Sequence, residues 1–96
     1  MKAKDVNPWN FKVKSILYET ASFSIAYGEW KEEYDCIAMR WNGEDKHDAG
    51  YPKTFGHPVW FIIPDELTVA ISKSLLETKN CNKKEILNVL GIEYDI

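Results

Sequence analysis

Residues 42–58 divide this chain. Gly43, Gly50, Gly56, Pro52 and Pro58 stand there among Glu44, Asp45, Lys46, His47, Asp48, Lys53 and His57, between the apolar runs Tyr34 to Trp41 and Val59 to Ile63. Glycine and proline at these intervals interrupt any ladder, and adjacent charges leave no apolar face, so neither neighbouring strand can continue through the stretch. It reads as a loop. Connections longer than about 12–15 residues are uncommon in compact domains and are usually functional or disordered, so the segment also marks where a site is to be sought.

On its N-terminal side the hydrophobic period is two. Phe11, Val13 and Leu17 alternate with Lys12, Lys14 and Tyr18, and after the connector Thr20-Ala21-Ser22 a second run alternates Phe23, Ile25 and Tyr27 with Ser24, Ala26 and Gly28. Lys31-Glu32-Glu33 break the pattern. Tyr34 to Trp41 then resume it, with Ile37, Met39 and Trp41 on one face and Cys36, Ala38 and Arg40 on the other, which makes an antiparallel meander. Beyond the loop, Val59-Trp60-Phe61-Ile62-Ile63 is apolar at every position, as expected of a strand covered on both faces, either interior or helix-covered, with Trp60 in the core.

Pro64 ends that strand, and Asp65-Glu66 suit a helix N-terminus. The spacing of Leu67, Ala70, Ile71 and Leu75 predicts a helix to about Thr78 with that stripe on the sheet and with Ser72 and Lys73 facing away. Asn82 and Glu85 predict a capping box for a second, short helix that buries Ile86, Leu87 and Leu90 and stops at Gly91, leaving Ile92 to Ile96 as a strand or an arm. Strands are segregated from helices. The fold class is therefore α+β: one antiparallel sheet of about four strands packed against C-terminal helices, as a single domain over residues 1–96.

Composition narrows the function. Four Trp, five Tyr and four Phe are too many bulky rings for a disordered chain. A net charge of −3 argues against general nucleic-acid binding, and Lys2, Lys4, Lys12 and Lys14 read better as a solvated strand face. No apolar run reaches the roughly 18 residues a membrane helix needs, and the N-terminal MKAKDVNPWN lacks a signal peptide's apolar core, so a cytoplasmic location is expected. Cys36 and Cys81 lack thiolate zinc-ligand spacing and are expected to be free thiols; Cys36 fits a small buried hydrophobe.

At Arg40-Trp41-Asn42-Gly43, Gly50-Tyr51-Pro52, Gly56-His57-Pro58 and Trp60 to Leu67 the chain resembles a family of small bacterial proteins to which no activity is attached. The resemblance covers about a third of the chain. It implies bacterial origin and no mechanism.

Several constellations can be built on the loop. Trp30, Trp41, Trp60, Tyr51 and Phe55 surround or enter it, and Arg40, Trp41, Asn42, Tyr51, Phe55 and His57 make the most concrete binding set: rings with Arg40 and Asn42 as polar anchors. Core and loop packing competes with that role, above all for Trp41 and Trp60. Glu29, Arg40 and His57 would supply the base, guanidinium and acid of a small hydrolase or ribonuclease, if strands two and three bring Glu29 near Arg40. An ordinary cross-strand ion pair is the competing reading. Asp45, His47, Asp48 and His57 carry metal-compatible donors without a ligand motif, and Gly50 and Gly56 with Arg40 or Lys53 could cradle an anion without P-loop spacing. The leading expectation is a non-enzymatic module with no cofactor, whose loop contacts a protein partner, a small ligand or a second copy of itself in a homodimer. The charged tip 44–48 should then be solvent-facing and mobile, while Tyr51 to Val59 dock their rings and prolines back onto the sheet.

Overall fold

The computed structural model describes residues 1–94, with side chains through Gly91. Three long strands, β1 (Phe11–Glu19), β2 (Phe23–Trp30) and β3 (Tyr34–Trp41), form the expected meander. Within residues 42–58 lie two short strands, β4 (Lys53–Thr54) and β5 (His57–Pro58), followed by β6 (Phe61–Ile62), α1 (Thr68–Leu75) and α2 (Lys83–Tyr94). The main sheet is antiparallel in the order β1-β2-β3-β6, and β4 and β5 make a separate hairpin.

The β2–β3 register is unbroken from Phe23↔Trp41 to Trp30↔Tyr34, so parity assigns each side chain to a face. On one face Leu17, Ile25, Tyr27 and Ile37 pack with Ile63 and with Leu75, Ile86, Val89 and Leu90 of the helices. On the other face Phe11, Ala26, Cys36 and Ala38 are covered by Ala3, Val6 and Trp60. Both faces of β2 are thus buried, and the N-terminal segment supplies a layer that the sequence pattern did not predict. Trp60 Nε1 donates to Val6 O at 2.7 Å, which ties this layer to the segment after the loop.

Four expectations are corrected. The apolar run Val59 to Ile63 is no interior strand: only Phe61 and Ile62 pair, with Met39 and Ala38, and β6 ends the sheet with Phe61 exposed. Its apolar character serves two cores through Trp60 and Ile63 rather than two flanking strands. In α1 the buried face is Thr68, Ser72 and Leu75, while Leu67 lies exposed in a preceding 3-10 turn, Asp65–Leu67, and Ala70 is exposed too. That turn rotates the stripe, so Ser72 faces inward. In α2, Asn82 Oδ1 does accept from Glu85 N, at 3.4 Å, but Val89 takes the buried place expected of Leu87. The helix also runs through Gly91 to Tyr94, so Ile92 to Tyr94 are neither strand nor arm; Asp95 and Ile96 lie outside the described residues.

No helix among the described residues is long and apolar enough to cross a membrane.

Candidate functional site

The loop is more ordered than its composition suggests. Arg40, Trp41 and Asn42 close β3 with side chains on alternating sides, and the two polar ones turn inward. Arg40, 1 % exposed, donates through Nη1 to Val59 O at 2.6 Å and through Nη2 to Ala49 O, so one guanidinium joins the outgoing and returning limbs of the loop. It lies 5.9 Å from the Trp60 ring, its Nε has no partner, and no carboxylate among the described residues pairs with it. Burial draws its pKa below the usual arginine value. Asn42 accepts from Ser24 Oγ at 2.7 Å and donates to Thr20 O at 2.9 Å, which fastens the loop base to the β1–β2 connector. Both side chains are buried pins engaged with the loop and the connector, although Arg40 borders the cleft beside Trp41 and Asn42 one beside Met1.

The next segment bridges back. Trp41 N donates to Tyr51 O at 2.7 Å and Tyr51 N to Trp41 O at 3.1 Å. Tyr51 therefore lies beside the end of β3. Gly50 permits this approach: its φ is +69°, and a Cβ there would run into the Trp41 carbonyl oxygen. Past the cis Tyr51–Pro52 peptide, Phe55 and Gly56 both adopt positive φ, as a two-residue hairpin loop requires, and turn β4 into β5. The glycine and proline signals had pointed to a structureless connection here. The hairpin escaped because a Phe occupies the first left-handed position, where Asn, Asp or Gly is usual.

The charged tip is bonded too. Asp48 Oδ2 accepts from Glu44 N and Oδ1 from Gly50 N, while Asp45 Oδ1 accepts from His47 N and Asp48 N, at 2.7–3.1 Å. The two backbone donors, Glu44 first, hold the Asp48 carboxyl below the usual carboxylate range. The tip faces solvent as expected, with residues 44–47 exposed, and it is built of Asx-type turns in which the carboxylates proposed as metal ligands are engaged with backbone amides. Among the described residues no group of three or more His, Cys, Asp and Glu side chains is placed to hold a metal ion.

Nor do the catalytic candidates converge. Glu29 pairs with Asp35 whereas Arg40 pairs with Ser24, so they lie on opposite faces of the sheet and five positions apart along β2, roughly 16 Å at the strand rise. Glu29 lies 3.9 Å from Lys14, which also holds Asp35 at 2.8 Å. Those carboxylates raise the Lys14 pKa, the Asp35 hydrogen bond most. His57 belongs to the β4–β5 hairpin, where with Trp9 and Phe55 it borders a separate cleft of about 440 Å³ against residues 5–9. Phe55 is 97 % exposed and does not dock onto the sheet, whereas Tyr51 of the same stretch does bridge back to its end.

What the fold does assemble is an aromatic patch. Parity and register place Phe23, Met39, Trp41 and Phe61 on the helix-bearing face, at the corner beside β6, and the bridge adds Tyr51. Trp41 is 55 % exposed, Tyr51 65 % and Phe61 61 %. With Pro52 they line an open cleft of about 250 Å³, and Phe23 meets Trp41 edge-on at 4.9 Å between centroids. Of these, Trp41 and Tyr51 were singled out from sequence. Phe23, Met39 and Phe61 were missed, although the first two share the parity of Trp41. Comparison of the chain with family models, with curated proteins and with solved structures gave no match.

Proposed function

We propose that this protein is a non-enzymatic, cytoplasmic binding module whose contact surface is the patch of Phe23, Met39, Trp41, Tyr51 and Phe61. One observation carries the reading: three large rings lie together on one face, each more than half exposed, at the base of a loop held in place by buried Arg40 and Asn42. A ring of this kind covers roughly 150–250 Å² when fully buried, so the three offer roughly 350 Å² of apolar surface. That is within the range of about 300–600 Å² for the largest apolar patch of a monomer, which is often functional. Tyr and Trp are also the residues most enriched in interface hot spots. The pinned loop favours binding because little ordering entropy remains to be lost on contact.

The test uses peptides selected from a random display library on the wild-type protein. Binding should fall at least tenfold in Trp41→Ser and Tyr51→Ser, both of which should remain folded because these side chains already face solvent. Selected peptides that bind the two variants as well as wild type would refute the assignment of the surface.

A further inference from the structure

The register arranges the aromatic patch in two rows. Trp41 stands between Phe23 on β2 and Tyr51 on the bridging segment, while Met39, two residues earlier on β3, stands beside Phe61 on β6. Two residues of strand separate the rows by about 7 Å. The cleft they line is nearly without charge, because the one charged residue that borders it is Arg40, 1 % exposed and held by Val59 O and Ala49 O. Its hydrogen-bonding capacity is one-sided. Trp41 Nε1 and Tyr51 Oη have no partner among the described residues, and no carboxylate or amide side chain lines the cleft.

We infer that the occupant of this cleft is a proline-rich segment of a partner protein in the polyproline II conformation. This rests on the reading of the patch as a contact surface and gives that surface its ligand class. Other backbone conformations match the cleft less well. A helix with its side chains is about 10–12 Å across, wider than the spacing of the rows. An extended strand laid on this face would turn N–H groups toward rings, since the backbone beneath is already paired: Trp41 with Phe23 and Tyr51, and Met39 with Ile25 and Phe61. Proline has no N–H. A polyproline II backbone makes no internal hydrogen bonds, so its carbonyls accept from donors such as Trp41 Nε1 and Tyr51 Oη and leave no donor of their own unsatisfied. The length agrees as well. At about 3.1 Å per residue two residues span about 6 Å, which seats one X-Pro unit between the rows, and aromatic-lined grooves are the general means of holding such segments. The cleft of about 250 Å³ is also smaller than the roughly 300–1,000 Å³ of small-molecule sites. The preformed ligand helix loses little entropy on contact, but the apolar area is small, so a transient complex with a Kd of about 10–500 μM is expected.

Nuclear magnetic resonance titration of the isotope-labelled full chain with a peptide of ten prolines, against a Gly/Ser peptide of equal length, tests it. The proline peptide should shift the Trp41 indole and the Tyr51 and Phe61 amides saturably, and the control should not; signals unmoved at about 2 mM proline peptide, well above the expected Kd, overturn the inference. Trp41→Phe and Tyr51→Phe keep each exposed ring and remove its donor. The double variant should stay folded, as its amide spectrum will show, and bind the proline peptide at least tenfold more weakly. Unchanged affinity refutes the hydrogen bonding on which the choice of ligand stands. Display selection separates this inference from the broader reading: selected peptides that require Trp41 and Tyr51 without enrichment in proline end the proline-rich assignment and leave the contact surface standing, whereas peptides that ignore both residues end the surface assignment as well.

Discussion

Replacing Gly50 by Ala should cost far more than replacing Gly56 by Ala, although both adopt left-handed φ, +69° and +79°. A residue with a Cβ in this conformation is penalised by about 1–2 kcal/mol, and the two sites share that penalty. They differ in surroundings. At Gly56 nothing lies within 4 Å of an added Cβ, whereas at Gly50 it would collide with Trp41 O and stand 2.8 Å from Arg40 Nη2. Trp41 O cannot swing aside without releasing Tyr51 N, and Arg40 is held by Ala49 O and Val59 O. Overpacking against fixed neighbours adds about 1–3 kcal/mol, for a total near 2–5 kcal/mol. At about 4–8 °C per kcal/mol for a domain of this size, Gly50→Ala should melt roughly 10–30 °C below wild type and Gly56→Ala by roughly a third of that. Differential scanning calorimetry of both variants reads the difference. Equal losses would refute the claim that the loop is pinned against the end of β3.

Three further outcomes are expected. Trp60→Ala empties a buried indole that bonds Val6 O and lies 5.7 Å from Phe11, so thermal melts should register a loss of about 3–5 kcal/mol, with Trp9→Ala, largely exposed, near neutral. Burial, aided by nearby Asp65 and Asp35, pushes the Cys36 thiol up to about 11, so titration with an aromatic disulfide near pH 8 should modify Cys81 first and Cys36 only on unfolding; two thiols reacting at one fast rate would contradict the packing. The Asp48 carboxyl, held below its ordinary value, adds stability that is full above about pH 5 and lost as pH falls through its lowered value; the melting gap between wild type and Asp48→Asn should therefore close in acid, and a gap constant with pH would show that the carboxylate bonds nothing.

Strands β2 and β3 were legible because each carries an unbroken period of two bounded by charges or small polar residues, and β3 came out with its limits at Tyr34 and Trp41; β1 was legible as a strand, but two register shifts break its period, so Phe11 and Leu17, expected on one face, are buried on opposite faces of the sheet. The same period contained most of the patch, since Trp41, Met39 and, through the register, Phe23 share a parity. Features set by contacts distant in sequence were not legible. The N-terminal layer depends on Trp60 reaching Val6, and nothing local to either residue signals it. The roles of Arg40 and Asn42 inverted for a related reason: a charged or amide side chain next to a loop suggests a ligand anchor until carbonyls of that loop are found to surround it. The β4–β5 hairpin lacked the usual turn residues, and the face of α1 shifted because a 3-10 turn, not an α-helical one, follows Pro64.

The most direct test of the contact surface is nuclear magnetic resonance mapping of a display-selected peptide on the isotope-labelled protein. The account requires the largest shifts at Phe23, Met39, Trp41, Tyr51 and Phe61, with the cleft of Trp9, Phe55 and His57 unperturbed. Shifts concentrated on Trp9, Phe55 and His57, with the β3–β6 corner silent, would contradict it.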